Sequence, residues 1–203
     1  MGNIGIMGGT FDPIHNGHLA LAEAAYRQFS LDSVFFMPTG NPPHKEGSHV
    51  LDAKLRLQMV TIAISDITYF DCSDLEVKRA GKTYTSDTLT WLCERYPEDT
   101  FYYIVGADSL DYMDEWHMPE VIFQKAIILA AMRKTQSLER VLSVKQLLEE
   151  KYHGTIHLLD CPEIDVSSSE IRNLVSKQCS VSGKLPAMVE QFIYEYSLYQ
   201  EEQ

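Results

Sequence analysis

The chain has 203 residues, 45% apolar and 23% charged, the proportions of an ordinary globular domain, which exclude a disordered or fibrous class. Its 17 basic and 29 acidic side chains leave a formal charge of −12, the wrong sign for neutralising a nucleic-acid backbone, so no nucleic-acid partner is expected. No apolar run approaches the ~20 residues of a membrane span, and the N-terminus lacks the layout of a secretory signal, so the expected location is cytoplasmic with no membrane partner.

The length suits one domain over 1–203, with no linker or internal repeat. Cys72, Cys93, Cys161 and Cys179 form no Cys-x-x-Cys pair, and they read as reduced packing residues. In chain order, Ile4 to Met7 is an apolar run ending in Gly8-Gly9, and apolar residues follow at helical spacing from Asn16 through Phe29. A second run, Val34 to Met37, breaks at a proline-rich loop and is followed by a helical stretch from about Ala53 to Ile64. Tyr69 to Cys72, Phe101 to Val105, Ala126 to Ala131 and Thr155 to Leu159 read as strands. Thr85 to Arg95, Leu138 to Tyr152, Ser169 to Val175 and Pro186 to Tyr199 read as helices, the last with proline in its first turn. Strands alternating with helices predict a doubly wound, Rossmann-like parallel α/β sheet covered on both faces, with helices at the C-terminus. Ligands of such a sheet bind beyond the carboxyl ends of its strands.

Gly8-Gly9-Thr10-Phe11-Asp12-Pro13-Ile14-His15-Asn16-Gly17-His18 occupies that position after the first strand. Two glycines admit a phosphate close to the backbone, and a helix start offers unpaired N–H groups and the positive end of the dipole. If the helix begins near Asn16, His15 and His18 lie over one turn and can both donate to phosphate oxygens. A Gly-Gly pair alone is an ordinary tight turn, and the two histidines lack further ligands at metal-site spacing, so no protein-held metal is predicted. Lys45, after Asn41-Pro42-Pro43-His44, is a candidate phosphate clamp, although a lone loop lysine is normally a solvated charge. Near the C-terminus, Asp165-Val166-Ser167-Ser168-Ser169-Glu170-Ile171-Arg172 sets hydroxyls before a helix, where serines ordinarily serve as N-caps.

The glycine–histidine run resembles the GTFDPIHxGH motif of the HxGH-containing nucleotidylyltransferases with every position filled, and residues 166–172 resemble their Ile-Ser-Ser-Thr-x-Ile-Arg motif with Val166 for Ile and Ser169 for Thr. The resemblance implies ATP contacts by Gly8, Gly9, Thr10, Phe11, His15, His18, Gly106, Asp108, Ser168, Ser169 and Arg172, with His15, His18, Lys45 and Arg172 acting on the reacting phosphates. Asn41 to Lys45, Thr83 to Leu89, and Gly106-Ala107-Asp108 followed by Trp116 are similar to bacterial nicotinate mononucleotide adenylyltransferase in particular. That similarity implies that Trp116 stacks on the pyridine ring, that amides near Thr85 and His117 receive its carboxylate, and that Asp108 holds ribose hydroxyls. Asn41, Lys45 and Arg133 complete the implied acceptor site. Met132-Arg133-Lys134-Thr135 departs from the Arg-Pro-Gly common in that family.

The implied partners are ATP and nicotinate mononucleotide, with Mg²⁺ carried mainly by ATP, and a homodimer is compatible with the sequence. Relatives that adenylylate phosphopantetheine are usually shorter and commonly have threonine where His15 stands. A silent nucleotide-binding module would gain nothing from a complete triphosphate clamp, and no Gly-x-Gly-x-x-Gly supports a dehydrogenase.

Overall fold

A computed structural model describes residues 1–41, 50–132, 136–162 and 165–200. Six strands, β1 (Asn3–Gly9), β2 (Ser33–Pro38), β3 (Phe70–Cys72), β4 (Thr100–Gly106), β5 (Ile127–Ala131) and β6 (Ile156–Leu159), form one sheet in the order β3-β2-β1-β4-β5-β6. Every neighbouring pair is parallel, with Ile6 of β1 opposite Phe35 of β2 on one side and Tyr103 of β4 on the other. Strand order therefore reverses between β1 and β4, and the loops leaving these two strands diverge to open a crevice.

The helices are α1 (Asn16–Gln28), α2 (Ala53–Ile64), α3 (Leu75–Lys78), α4 (Thr85–Arg95), α5 (Pro119–Lys125), α6 (Leu138–Tyr152), α7 (Ser168–Ser176) and α8 (Ala187–Glu195). Alternation along the strands divides the core into two. Ile104 and Leu129 pack with Ala22 and Ala25 of α1, Met59 and Val60 of α2, and Ile171 and Val175 of α7. Tyr103, Val105, Ile128 and Ala130 pack on the opposite face with Leu89 and Leu92 of α4, Ile122 of α5 and Val141 of α6.

Three elements lay outside the helical pattern of the sequence: α3, α5, and a 3-10 helix over Ala107–Glu115. In the last, the buried residues are Ala107, Leu110 and Met113, spaced by three, which is the periodicity of a 3-10 helix and not of an α-helix. The final helix is shorter than expected. Pro186 is its N-cap, and the chain leaves it after Glu195 because Ser197 and Tyr199 adopt left-handed φ angles of 50° and 61° that no α-helix continues through.

Candidate active site

The carboxyl ends of β1 and β4 open into a cleft of about 970 Å³. One wall is the signature loop and the start of α1. His15 is the N-cap residue of α1 with an extended backbone, and His18 is the third residue of its first turn. The three-residue spacing brings the two rings together, stacked with centroids 3.7 Å apart and planes 24° apart, and both line the cleft. The backbone N–H of His15 donates to Nδ1 of His18 at 3.2 Å. An accepting Nδ1 places the proton of the neutral ring on Nε2, so His18 presents a donor. Phe11 stands edge-on to the His18 ring at 5.0 Å and is itself buried, so its side chain supports the histidine from behind.

The glycines of the loop have identifiable neighbours. A Cβ on Gly8 would lie 2.6 Å from the Tyr103 hydroxyl, and one on Gly9 would crowd the Phe11 ring at 3.1 Å. The need for glycine at position 8 thus comes from the second strand lining the crevice as well as from any ligand. At the end of β4, a Cβ on Gly106 would meet Asp108 Oδ1 at 2.4 Å, so Gly106 is what allows Asp108 to fold back beside the strand and line the cleft.

Opposite the histidines, the wall is built from the start of α4 and the segment after the 3-10 helix. Tyr84, the N-cap residue of α4, supplies no side-chain cap, which leaves first-turn N–H groups for a ligand. The Thr85 hydroxyl lies 3.2 Å from that of Tyr103, and burial raises the Tyr103 phenol well above its usual pKa, keeping it a neutral O–H. Among the described residues, the buried hydroxyls of Thr83 and Ser86 have no hydrogen-bond partner. Trp116 lines the cleft, edge-on to Tyr103 at 6.1 Å and 89°, and His117 stacks obliquely on Tyr84 at 4.2 Å.

Buried groups fix both walls, Arg56 from behind and Glu76 from within the lining. Arg56 is 1% exposed and donates to the carbonyls of Leu51, Thr10, Thr39 and Gly40 at 2.6–3.2 Å, tying the loop after β1 to the loop after β2. Burial lowers its pKa, opposed by the charge of Asp12. Glu76 of α3 accepts from the Thr88 hydroxyl of α4 at 2.8 Å, and Arg79 donates to the same hydroxyl at 3.0 Å. Burial pushes the Glu76 carboxyl above its ordinary range, against the hydrogen bond from Thr88 and the charge of Arg79.

At the third edge, Asp165, Val166, Ser167 and Ser168 reach the cleft from the start of α7. Ser167 caps the helix by accepting from the Glu170 N–H, while Ser169 bonds to Ser167 and Ser168 donates to the Pro13 carbonyl at 2.9 Å. Arg172 donates to the Asp12 carbonyl at 2.7 Å.

The structure thus gathers Gly8, Gly9, Thr10, His15, His18, Thr85, Gly106, Asp108, Trp116, His117 and Ser168 around one cleft. Phe11, Ser169, Arg172 and Asn41 are not among the residues that line it. Lys45 and Arg133 lie outside the described residues. Arg56, Glu76, Tyr84 and Tyr103 were not singled out from sequence. Arg56 did leave a signal there, a charge on the same helical face as Met59, Val60 and Ile64.

A helix start suited to anions and an aromatic wall on one cleft at a parallel-sheet switch point fit a nucleotide-handling α/β protein of the nucleotidyltransferase kind. The cytidylyltransferase-like family model matches residues 6–174. A probable nicotinate-nucleotide adenylyltransferase of Lachnoclostridium phytofermentans is 41% identical, covering 98% of this chain and 100% of the relative. Another, of Dehalococcoides mccartyi, is 42% identical over 96% of each. The solved structure of Plasmodium falciparum nicotinic acid mononucleotide adenylyltransferase complexed with NaAD shares the fold, with a TM-score of 0.80 at 22% identity over 98% of each chain. The chain belongs to the cytidylyltransferase-like family and, within it, to the nicotinate-nucleotide adenylyltransferases.

Proposed function

We propose that this protein transfers the AMP moiety of ATP to nicotinate mononucleotide, giving nicotinate adenine dinucleotide and pyrophosphate in NAD biosynthesis. The observation that carries this reading is the single cleft in which the stacked His15–His18 pair faces Thr85, Trp116 and His117. One wall offers donors for a triphosphate, and the other offers aromatic faces and helix-start amides for a flat ring bearing a carboxylate.

An oxygen of the mononucleotide phosphate attacks the α-phosphorus of ATP in line, a P–O bond forms, and the bond to the β-phosphate oxygen breaks as pyrophosphate leaves. The nucleophile is already an anion, so no covalent residue or general base is needed, and catalysis rests on positioning and on charge stabilisation. The Nε2–H of His18, fixed by the His15 amide, serves the developing charge, with His15 beside it. Gly106 and Asp108 border the ribose, and the segment from Ser167 to Arg172 serves the outer phosphates, together with Lys45. Mg²⁺ belongs to the substrate as its ATP complex. The signature-loop wall supplies amides, hydroxyls and imidazoles, donors suited to phosphate oxygens, and leaves the ion to the nucleotide and water.

The test is purified protein with ATP, Mg²⁺ and each of nicotinate mononucleotide, nicotinamide mononucleotide and phosphopantetheine, with pyrophosphate release followed. Release with nicotinate mononucleotide alone or foremost is the expected result; release foremost with phosphopantetheine overturns the reading.

A further inference from the structure

The signature loop is held along its length by the last third of the chain. Ser168 donates to the Pro13 carbonyl, the Lys184 carbonyl receives the Asn16 N–H at 3.0 Å, and the Gly183 carbonyl receives the Asn16 side-chain amide at 2.9 Å. The deepest of these contacts is at Asp12, 2% exposed, whose Oδ1 accepts from the Tyr199 hydroxyl at 2.7 Å. Arg172 meets the same residue differently. Its guanidinium bonds to the Asp12 carbonyl at 2.7 Å, whereas Oδ2 is 4.0 Å away, the outer limit of an ion pair.

A buried carboxylate next to an arginine ordinarily closes a short, two-pronged pair. Here Tyr199 takes up one carboxylate oxygen, and Arg56, which acts on Asp12 through its charge, offsets part of its negative charge. Arg172, one third exposed, is therefore held at the loop without being captured by it. Burial and the neighbouring Asp12 raise the Tyr199 phenol far above its ordinary range, so it remains a donor at every physiological pH. Ser197 and Tyr199 both adopt left-handed φ angles, 50° and 61°, in the segment that carries the Tyr199 hydroxyl to Asp12.

We propose that Tyr199 is a positioning residue for adenylyl transfer: by occupying one oxygen of Asp12 it keeps Arg172 out of a closed ion pair and available to the phosphates of ATP. The inference rests on the reading of Arg172 as a triphosphate ligand. Tyr199→Phe removes only the hydroxyl, so Asp12 turns to Arg172, and the KM for ATP rises roughly tenfold, the scale of one lost charge-assisted contact. The KM for the mononucleotide stays within about threefold, a split that a general loosening of the fold does not produce.

The test is a cycle of wild type, Tyr199→Phe, Arg172→Ala and the double variant, with both KM values and kcat measured. In the Arg172→Ala background, Tyr199→Phe is expected to add nothing to the KM for ATP. Multiplication of the two effects overturns the inference while leaving Arg172 a phosphate ligand, whereas a normal KM for ATP in Arg172→Ala removes that reading and this inference with it. If Tyr199→Phe alone yields too little folded protein, Tyr199→Phe/Asp12→Asn removes the buried charge that has lost its hydroxyl donor. Its KM for ATP then falls clearly below that of Arg172→Ala, and equality of the two overturns the proposal.

Discussion

The imidazoles of His15 and His18 are stacked at 3.7 Å, and the amide N–H of the first donates to Nδ1 of the second. One residue thereby sets both the position and the tautomer of the other. A donor prepared in this way acts chiefly where charge develops, so His18→Ala should lower kcat by about 10²–10³-fold. The KM for nicotinate mononucleotide should barely move. Steady-state kinetics on the folded variant checks this, and an unchanged kcat removes His18 from the mechanism.

Trp116 contributes differently, because a ring that stacks on substrate binds ground state and transition state alike. Trp116→Ala should raise the KM for the pyridine mononucleotide by tenfold or more, equivalent to about 1.4 kcal/mol, and leave the KM for ATP nearly intact. Trp116 also packs edge-on against Tyr103. Equal losses for both substrates would show that this packing role is its only one.

Acceptor choice should follow the donors at the start of α4. Tyr84 makes no side-chain cap; on the proposed reading, the first-turn N–H groups would satisfy both oxygens of a carboxylate, whereas an amide would turn its own N–H₂ against a donor. Such a mismatch costs roughly 1–3 kcal/mol, so kcat/KM for nicotinate mononucleotide should exceed that for nicotinamide mononucleotide at least tenfold. Values within about threefold of each other contradict the assignment of this wall.

Arg56 bonds to four carbonyls of two site loops from a buried position. Arg56→Ala strands those carbonyls and removes a charge that acts on the buried Asp12, at a cost of about 3 kcal/mol or more. Arg56→Lys should recover little, since one ammonium cannot span the fork. Urea unfolding of the three proteins measures both effects; a loss below about 1 kcal/mol for the alanine variant rules out the tie.

Glu76 gives a pH signature. Its folded-state pKa is raised above the ordinary 4.5 by burial, so the folded protein holds this proton where the unfolded chain has released it. The associated stability is present below 4.5 and is lost as pH rises through the folded pKa. Glu76→Gln keeps an oxygen for Thr88 and has no proton to lose. Its melting temperature should therefore gain on the wild type as pH rises through the window above the ordinary carboxylate range. Glu170, lowered chiefly by its bond to Lys184, changes stability in the opposite sense and below the ordinary range, so it does not mimic this trend. A constant difference across the window contradicts the assignment.

The sequence by itself determined the alternation of strand and helix, hence the doubly wound sheet, because apolar period and glycine–proline punctuation are local properties of the chain. It also pointed to a start of α1 near Asn16, where His15 and His18, three residues apart, share one turn. Tertiary structure alone decided what lies behind those residues. The Tyr103 hydroxyl against Gly8, Arg56 beneath Thr10 and Tyr199 against Asp12 each join segments between 46 and 187 residues apart, and no local pattern encodes such a distance. It likewise decided the 3-10 helix before Trp116, whose period of three becomes legible only when Ala107, Leu110 and Met113 are packed against the sheet. Local periodicity selects the elements, and the charges and hydroxyls that can be buried only in company select how those elements meet.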